Sequence, residues 1–287
     1  MFHKAKKLGL ALGGGGARGF AHIGVLKVLE REKIHIDYLA GTSMGAIVGG
    51  MYAQNPDIKA VEERMHSFLQ SPNFKKSGLD FTEKKLISES WFDHIAEYLH
   101  ERIVVNIATH KKSVVRIDRI YDALDFLLEN DIFQNTKIPF AAVASDLCTG
   151  EEVVIKEGSV RDAVAASAAL PGFLPPVTRG RHLLIDGGAT SAVPIKAVKA
   201  LGAHKVIAVD VSGSLPKEPK LDHIIDYVLR SYAITAHQYH NEMLREADIV
   251  LQPKVGQVHW SKFSEIDWLI REGERKTENL LHKIKKL

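Results

Sequence analysis

Short apolar runs alternate along this chain with longer stretches in which apolar side chains recur at helical spacing. The short runs are typical of buried strands, and the longer stretches are typical of helices that pack one face on a sheet. The predicted strands are 8–12, 38–40, 138–145, 182–185, 205–211 and 249–252, with 152–156 as a hairpin partner of 138–145. The predicted helices are 19–33, 44–54, 57–69, 160–169, 222–245 and 265–286. This alternation predicts an α/β protein with a central, mostly parallel sheet and helices on both faces.

The composition is that of a soluble globular protein that buries a sizeable core. The chain has 287 residues, of which 45% are hydrophobic and 25% are charged. We find no internal repeat, low-complexity segment or evident linker, so the simplest prediction is one domain over residues 1–287. Its motif-bearing core would cover about 8–212, and a helical extension would cover about 213–287.

Charge and cysteine content narrow the expected partners and compartment. The net charge of +3 is too small to indicate a nucleic-acid partner. Lysines cluster at 4–7 and 283–286, which predicts solvated ends or, as the alternative, a transient contact with a membrane surface. The single cysteine, Cys148, excludes an intrachain disulfide and is expected to be a small buried residue. Neither a signal peptide nor a membrane span is predicted, so a cytoplasmic location is expected.

Two glycine motifs each follow a predicted strand. Residues 14–19 have the sequence GGGARG, and residues 41–45 have the sequence GTSMG. The second motif fits the nucleophile-elbow pattern Gly-x-Ser-x-Gly, which would place Ser43 on a sharp turn between a strand and a helix. The first motif would present backbone N–H groups to an anion. Together they predict acyl transfer, in which a serine attacks a carbonyl carbon and nearby donors hold the oxyanion.

A third motif places a carboxylate at the end of a strand. The run 182–185 ends at Asp186, and two glycines follow. A serine hydroxyl is a poor nucleophile until a base accepts its proton, and a buried carboxylate near Ser43 could be that base. The alternative is a simple Asp-Gly-Gly turn, in which these residue types occur for backbone reasons.

In this order the three motifs resemble those of the patatin-like phospholipases. A fourth stretch, 166–176 with the sequence ASAALPGFLPP, is also similar to a segment of that family, and we expect it to be a rigid pocket wall that includes Ser167. The resemblance covers roughly 8–212 and weakens beyond it. It implies a three-layer α/β fold and a Ser–Asp dyad that works without histidine. It also implies hydrolysis of carboxylic esters of lipids through an acyl-enzyme, as in phospholipase A, lysophospholipase or acylesterase activity.

The resemblance assigns roles to individual positions. The implied catalytic residues are Ser43 and Asp186. The implied oxyanion hole consists of Gly14, Gly15 and Gly16. The supporting motif residues are Arg18, Gly19, Gly41, Gly45, Gly187 and Gly188. We expect Arg18 to hold the glycine loop in place, with added positive potential as the alternative.

Rival functions follow from the same motifs. The pattern Gly14-x-Gly16-x-x-Gly19 also fits a dinucleotide fingerprint with Asp37 as the acid, although Asp37 precedes its strand instead of ending it. A Ser-His-Asp triad would need one of the late histidines: His237, His240 or His259. An acyltransferase would use the same chemistry with a lipid acceptor. A regulatory or interaction protein with little turnover is the alternative from another class.

The remaining expectations concern neighbouring groups and absences. His22 is expected to pack or hydrogen-bond, and Asp146 to serve a turn or to support the site. A predicted helix over 85–102 has an apolar stripe that would form either core or, in a lipid enzyme, a lid or acyl-chain wall. No spacing of His, Cys, Asp or Glu indicates a metal, and no cofactor is expected. The expected partner is a lipid or acyl-ester substrate, and the sequence leaves the oligomeric state open.

Overall fold

The computed structural model describes residues 6–77, 113, 115–129, 131–215, 218–219 and 221–287. Its strands are β1 (Leu8–Leu12), β2 (Tyr38–Thr42), β3 (Phe140–Asp146), β4 (Glu152–Ile155), β5 (Val177–Arg179), β6 (His182–Asp186), β7 (Lys205–Val209) and β8 (Ile249–Leu251). Its helices are α1 (Ala21–Arg31), α2 (Met44–Gln54), α3 (Ile58–Gln70), α4 (Pro72–Ser77), α5 (Ile117–Leu127), α6 (Val160–Ser167), α7 (Ile195–Ala200), α8 (Ile224–Leu244) and α9 (Ile266–Ile284). The predicted helix over 85–102 lies outside the described residues.

All of the described strands join one sheet. Its order is β5-β6-β3-β2-β1-β7-β8, and β4 pairs with β3 off this path. The pairings among β3, β2, β1, β7 and β8 are parallel, whereas β4, β5 and β6 are joined by antiparallel pairings. Parallel neighbours need crossover connections, and helices supply them here. The predicted fold class, a mostly parallel sheet within α/β layers, is therefore confirmed.

The sheet buries apolar side chains on both faces. Leu10 and Leu12 of β1 enter one core cluster, while Ala11 enters a second cluster on the other face, as the period-two geometry of a strand requires. Side chains from α1, α2, α3 and α9 pack in the larger cluster, and side chains from α7 pack in the smaller one. A Cβ on Gly24 of α1 or on Gly273 of α9 would overlap a carbonyl oxygen of the other helix, so these glycines allow the two backbones to touch.

The register of β3 determines where two predicted site residues lie. Thr42 of β2 pairs with Val143 of β3, and Asp186 of β6 pairs with the next β3 residue, Ala144. Ser43 follows Thr42 directly. Because neighbouring strands are about 4.8 Å apart, Ser43 and Asp186 lie on opposite sides of one strand at nearly the same height.

Several short elements were not predicted from the sequence. The helices α4 and α7 have six residues each and β5 has three, which is too short for a hydrophobic period to emerge. The longer α5 does carry such a period, so its pattern could have revealed it. The expectation for Cys148 is wrong, because this residue is exposed in the turn after β3 and not buried within the strand.

Candidate active site

Ser43 lies on a strained turn between β2 and α2. Its backbone angles are φ 55° and ψ −121°, in a region that residues with a side chain rarely adopt. The flanking glycines make this turn sterically feasible. A Cβ on Gly45 would overlap the Leu12 carbonyl oxygen, and a Cβ on Gly41 would overlap the backbone of α2. The geometry is that of a nucleophile elbow, with the amino end of a helix directly behind the serine.

Ser167 holds the backbone of this elbow through two hydrogen bonds. Its hydroxyl accepts a hydrogen bond from the Ser43 N–H at 3.0 Å and donates one to the Val143 carbonyl oxygen at 2.5 Å. Ser167 is completely buried at the end of α6, so it can hold the strained backbone without competition from water. The segment expected to be a rigid wall thus contacts the backbone of the candidate nucleophile through Ser167.

Asp186 ends β6 facing the Ser43 hydroxyl. Only 2% of the residue is exposed, and burial raises the pKa of its carboxyl group from 3.8 to about 6. The Gly188 N–H donates a hydrogen bond to Oδ1 at 2.7 Å, and this bond and the neighbouring Ser43 hydroxyl offset part of this effect. The second oxygen, Oδ2, is buried and accepts no hydrogen bond of ordinary geometry within the described chain. The carboxylate is therefore a poised proton acceptor next to a hydroxyl.

The glycine loop lies against Ser43 on its other side. A Cβ on Gly14 would come within 3.2 Å of the Ser43 Cβ, so the loop backbone approaches the elbow as closely as a side chain would. The Gly14 N–H is already used, because it donates to the Ala192 carbonyl oxygen at 2.9 Å. The N–H groups of Gly15 and Gly16 donate to no acceptor in the described parts of the chain. These two amides could therefore donate hydrogen bonds to an oxyanion.

Two basic side chains hold the loop from behind. Arg18 is 1% exposed, and its Nε donates to the Val258 carbonyl oxygen at 2.6 Å. His22 Nε2 lies 2.7 Å from the Gly13 carbonyl oxygen, and burial lowers the pKa of His22 to about 4. The predicted hydrogen-bonding role of His22 is confirmed. At Gly16, where φ is +56°, a Cβ would overlap the Trp260 carbonyl oxygen, so the loop docks backbone to backbone on this segment.

A cleft opens above the loop and the Asp186 turn. It encloses about 990 Å³, counting the space open to solvent. One wall is the glycine loop and the turn after β6: Gly14, Gly15, Asp186, Gly188, Ala189, Thr190 and Ala192. The other wall is the loop after β7 together with α8: Ser212, Gly213, Leu215, Ala236, His237, Tyr239, His240 and Met243. The candidate base thus faces a space that a substrate could enter.

A second buried aspartate, which the sequence analysis did not single out, lies beside this cleft. Burial disfavours ionisation of Asp210, but hydrogen bonds from His240, Gln252 and Ser212 outweigh it and lower the pKa to about 2. The Oδ2 atom lies 3.1 Å from His240 Nε2, and Oδ1 accepts the Ser212 hydroxyl at 2.6 Å. Asp210 directly follows β7, much as Asp186 ends β6, but it fell inside the predicted strand 205–211, so its place at the end of a strand was not apparent from the sequence. Nothing local identified His240 as its partner.

The geometry also bears on the rival functions. Asp37 binds the Lys7 Nζ at 2.6 Å and the Leu8 N–H at 2.8 Å, so it lies at the start of β1, away from the glycine loop. It is therefore misplaced for a ribose. The histidines at 237 and 240 line the cleft, yet within the described residues no histidine hydrogen-bonds Ser43. Asp146, which was expected to serve a turn or to support the site, has its Oδ2 atom 2.7 Å from Nδ1 of His182.

Among the described residues, no three His, Cys, Asp or Glu side chains are grouped as metal ligands. None of the helices described is both long and apolar enough to cross a bilayer.

Fold and site together define a three-layer α/β protein with a serine elbow and a facing buried aspartate. The profile of the patatin-like phospholipase family matches residues 10–199. Patatin-like phospholipase domain-containing protein ZK370.4 of Caenorhabditis elegans is 34% identical over 218 residues, covering 75% of this chain and 14% of that protein. The NTE family protein Rv1063c of Mycobacterium tuberculosis is 31% identical over 211 residues, covering 72% of this chain and 50% of that protein. The chain belongs to the patatin-like phospholipase family, as its motifs predicted.

A solved structure shares this fold. Human GIVD cytosolic phospholipase A2, in complex with methyl gamma-linolenyl fluorophosphonate, aligns with a TM-score of 0.51 over 97% of this chain and 58% of that chain, at 11% identity. This likeness shows the fold alone. The chain spans half or less of the length of the curated relatives named above.

Proposed function

We propose that this chain is a serine hydrolase that cleaves carboxylic esters of lipids with a Ser43–Asp186 dyad. The observation that carries the proposal is the placement of a strained elbow serine beside a buried carboxylate whose pKa is raised to about 6. A base with a pKa just below neutrality is ionised at pH 7 and still accepts a proton readily. Membership of the patatin-like phospholipase family supports the lipid substrate class.

Acylation would proceed by direct proton transfer between the two residues. Asp186 accepts the Ser43 proton while Oγ forms a bond to the ester carbonyl carbon. The carbonyl oxygen becomes an oxyanion, and the N–H groups of Gly15 and Gly16 stabilise it by donating hydrogen bonds. When the tetrahedral intermediate collapses, the bond to the alcohol oxygen breaks and Asp186 returns the proton to that oxygen. An acyl-Ser43 ester and a free alcohol or lysolipid result.

Deacylation would repeat the sequence with water. Asp186 removes a proton from a water molecule, which attacks the acyl-Ser43 carbonyl carbon. The same glycine amides hold the second oxyanion, and its collapse releases a fatty acid while the proton returns to the Ser43 oxygen. A lipid hydroxyl in place of water would give acyl transfer by the same steps. The cleft, with Leu215, Ala236 and Met243 in one wall, has apolar surface for an acyl chain.

The test is covalent labelling with a fluorophosphonate probe, together with hydrolysis of a short p-nitrophenyl ester. The variants are Ser43→Ala and Asp186→Asn, with Ser67→Ala as a matched control, because Ser67 is an exposed serine on α3. We expect the wild type and the control to label and turn over, whereas Ser43→Ala does neither and Asp186→Asn loses at least about 100-fold in rate. A folded wild type that neither labels nor hydrolyses would refute the hydrolase and favour the regulatory role.

A further inference from the structure

Exposed apolar side chains concentrate on one helix, α8. Among the described residues, the large hydrophobic side chains that are exposed outside this helix belong to Ile132 and Leu147. Those on α8 are Ile224, Ile225, Tyr227, Val228, Tyr232, Ile234 and Tyr239. A surface helix normally turns such residues inward. Here α8 turns these residues to solvent, and all of them except Tyr239 lie in the amino-terminal half of the helix.

Four of these residues lie along one face of the helix. Ile224, Val228, Tyr232 and Tyr239 are separated by four, four and seven residues, which places them on one face of a helix. Their exposed fractions are 85%, 43%, 71% and 53%, respectively. The buried residue Ala233 points elsewhere, because it is offset from Tyr232 by one position. We call this set the α8 stripe.

The α8 stripe runs into the candidate active-site cleft. Tyr239 belongs to both surfaces, since it is half exposed and also lines the cleft beside His240 and Met243. The opposite wall of that cleft carries Asp186. An apolar surface that begins in solvent therefore ends within the cleft that the glycine loop and Asp186 line.

The stripe is uncharged, and its side chains suit an interface between water and hydrocarbon. Between Ile224 and Tyr239 the charged residues are Asp226 and Arg230, and neither has the spacing of the stripe. Asp226 is committed to the start of the helix, where its Oδ2 accepts the His223 N–H at 2.7 Å. Tyrosines combine an apolar ring with a hydroxyl that remains hydrated, which is the composition found at membrane surfaces.

We propose that the α8 stripe docks this chain on the surface of a lipid bilayer, so that a lipid ester passes along α8 into the cleft. The proposal rests on the lipid-ester hydrolase function proposed above. Continuity with the cleft favours lipid over other apolar partners, because a docked bilayer presents the substrate itself at the cleft mouth. A helix of this kind lies flat in the interface and buries one face, with no need to span the membrane.

The experiment measures binding to phosphatidylcholine vesicles by flotation, using the full chain in a Ser43→Ala background so that no lipid is consumed. Ile224→Ser combined with Tyr232→Ser removes the two most exposed members of the stripe. Ile132→Ser is the matched control, an exposed isoleucine that lies outside α8 and does not line the cleft. Each side chain lost from the stripe should weaken partitioning about tenfold. Because the stripe is uncharged, high salt should leave the binding unchanged.

Binding by the parent, loss in the double variant and retention in the control would support the proposal. Parent protein that stays unbound, or a double variant that binds as tightly as the parent, would overturn it. Sedimentation of the same proteins distinguishes another occupant: a dimeric parent that does not float, with a monomeric double variant, assigns the stripe to a second copy of the chain. Short-ester hydrolysis by the double variant with Ser43 intact tests catalysis separately, so failure of docking and failure of the hydrolase are distinguishable.

Discussion

Replacing Asp186 with Asn should stabilise the fold while it abolishes the proposed chemistry. Asp186 is 2% exposed, and burial raises the pKa of its carboxyl group to about 6 from an ordinary value of 3.8. An ionised carboxylate at this position is therefore less favourable in the folded chain than in the unfolded chain. Asn has nearly the same shape, and its oxygen can accept the Gly188 N–H, but it carries no charge to bury.

The magnitude follows from the difference between the two pKa values. A difference of about two corresponds to about 3 kcal/mol in the free energy of unfolding. Because the folded pKa is raised, the folded state holds the proton more tightly. In the wild type, Asp186 should therefore cost no stability below about pH 4, where it is protonated in both states. Its ionisation should lower the free energy of unfolding as the pH rises to about 6. The variant should gain up to about 3 kcal/mol over the wild type at pH 7, and this gain should vanish near pH 4.

Urea unfolding of both proteins at several pH values measures this difference. Asp210→Asn is the matched control, because Asp210 is also a buried aspartate but has its pKa lowered to about 2 by hydrogen bonds that outweigh burial. The pKa of Asp210 is shifted in the opposite direction to that of Asp186. The Asp210→Asn control should therefore lose about 2 kcal/mol in the free energy of unfolding at neutral pH. The burial argument is refuted if Asp186→Asn is no more stable than the wild type at neutral pH, or if its advantage does not shrink on acidification.

Further predictions concern the pH profile and the backbone of the site. With a soluble ester, kcat/KM should rise with pH through about 6, since Asp186 must be ionised to accept the Ser43 proton; a profile flat from about pH 5 to about pH 8 contradicts this role. Ser167→Ala should cost about 1–3 kcal/mol by urea unfolding and slow fluorophosphonate labelling, because the Ser43 N–H loses its acceptor; unchanged labelling would show that the brace is dispensable. Gly16→Ala should lower Tm more than Gly150→Ala, because both have positive φ but only Gly16 is also crowded; equal Tm losses would contradict the predicted close docking of the loop.

The sequence predicted the parts of the site that depend on local geometry. An elbow needs small residues on either side of the serine, so Gly41 and Gly45 report the backbone conformation around Ser43 directly. The end of β6 could be predicted from the sequence because an apolar run stops at Asp186. Strand and helix boundaries agree within a few residues for the same reason, since each depends on residues close in the chain.

Contacts between distant segments were beyond this kind of inference. His240 reaches Asp210 across 30 residues, from a helix whose sequence has no feature that marks the contact. Likewise, Ser167 binds the Ser43 N–H across 124 residues, and the resemblance indicated only a wall. Such pairs depend on how the register of β3 and the packing of α6 and α8 combine, which no single window of sequence contains.

The choice of base follows from comparing the three aspartates that are buried in the described chain. Asp146 and Asp210 each have a histidine within hydrogen-bond distance, His182 and His240, and in each case the pKa of the carboxyl group is lowered. Asp186 has no such partner, and its pKa is raised. A paired carboxylate with a low pKa holds its charge but takes up a proton poorly, whereas an unpaired one with a raised pKa takes it up readily. Of the three, only Asp186 also faces the elbow hydroxyl, so proton affinity and position favour the same residue as the proposed base.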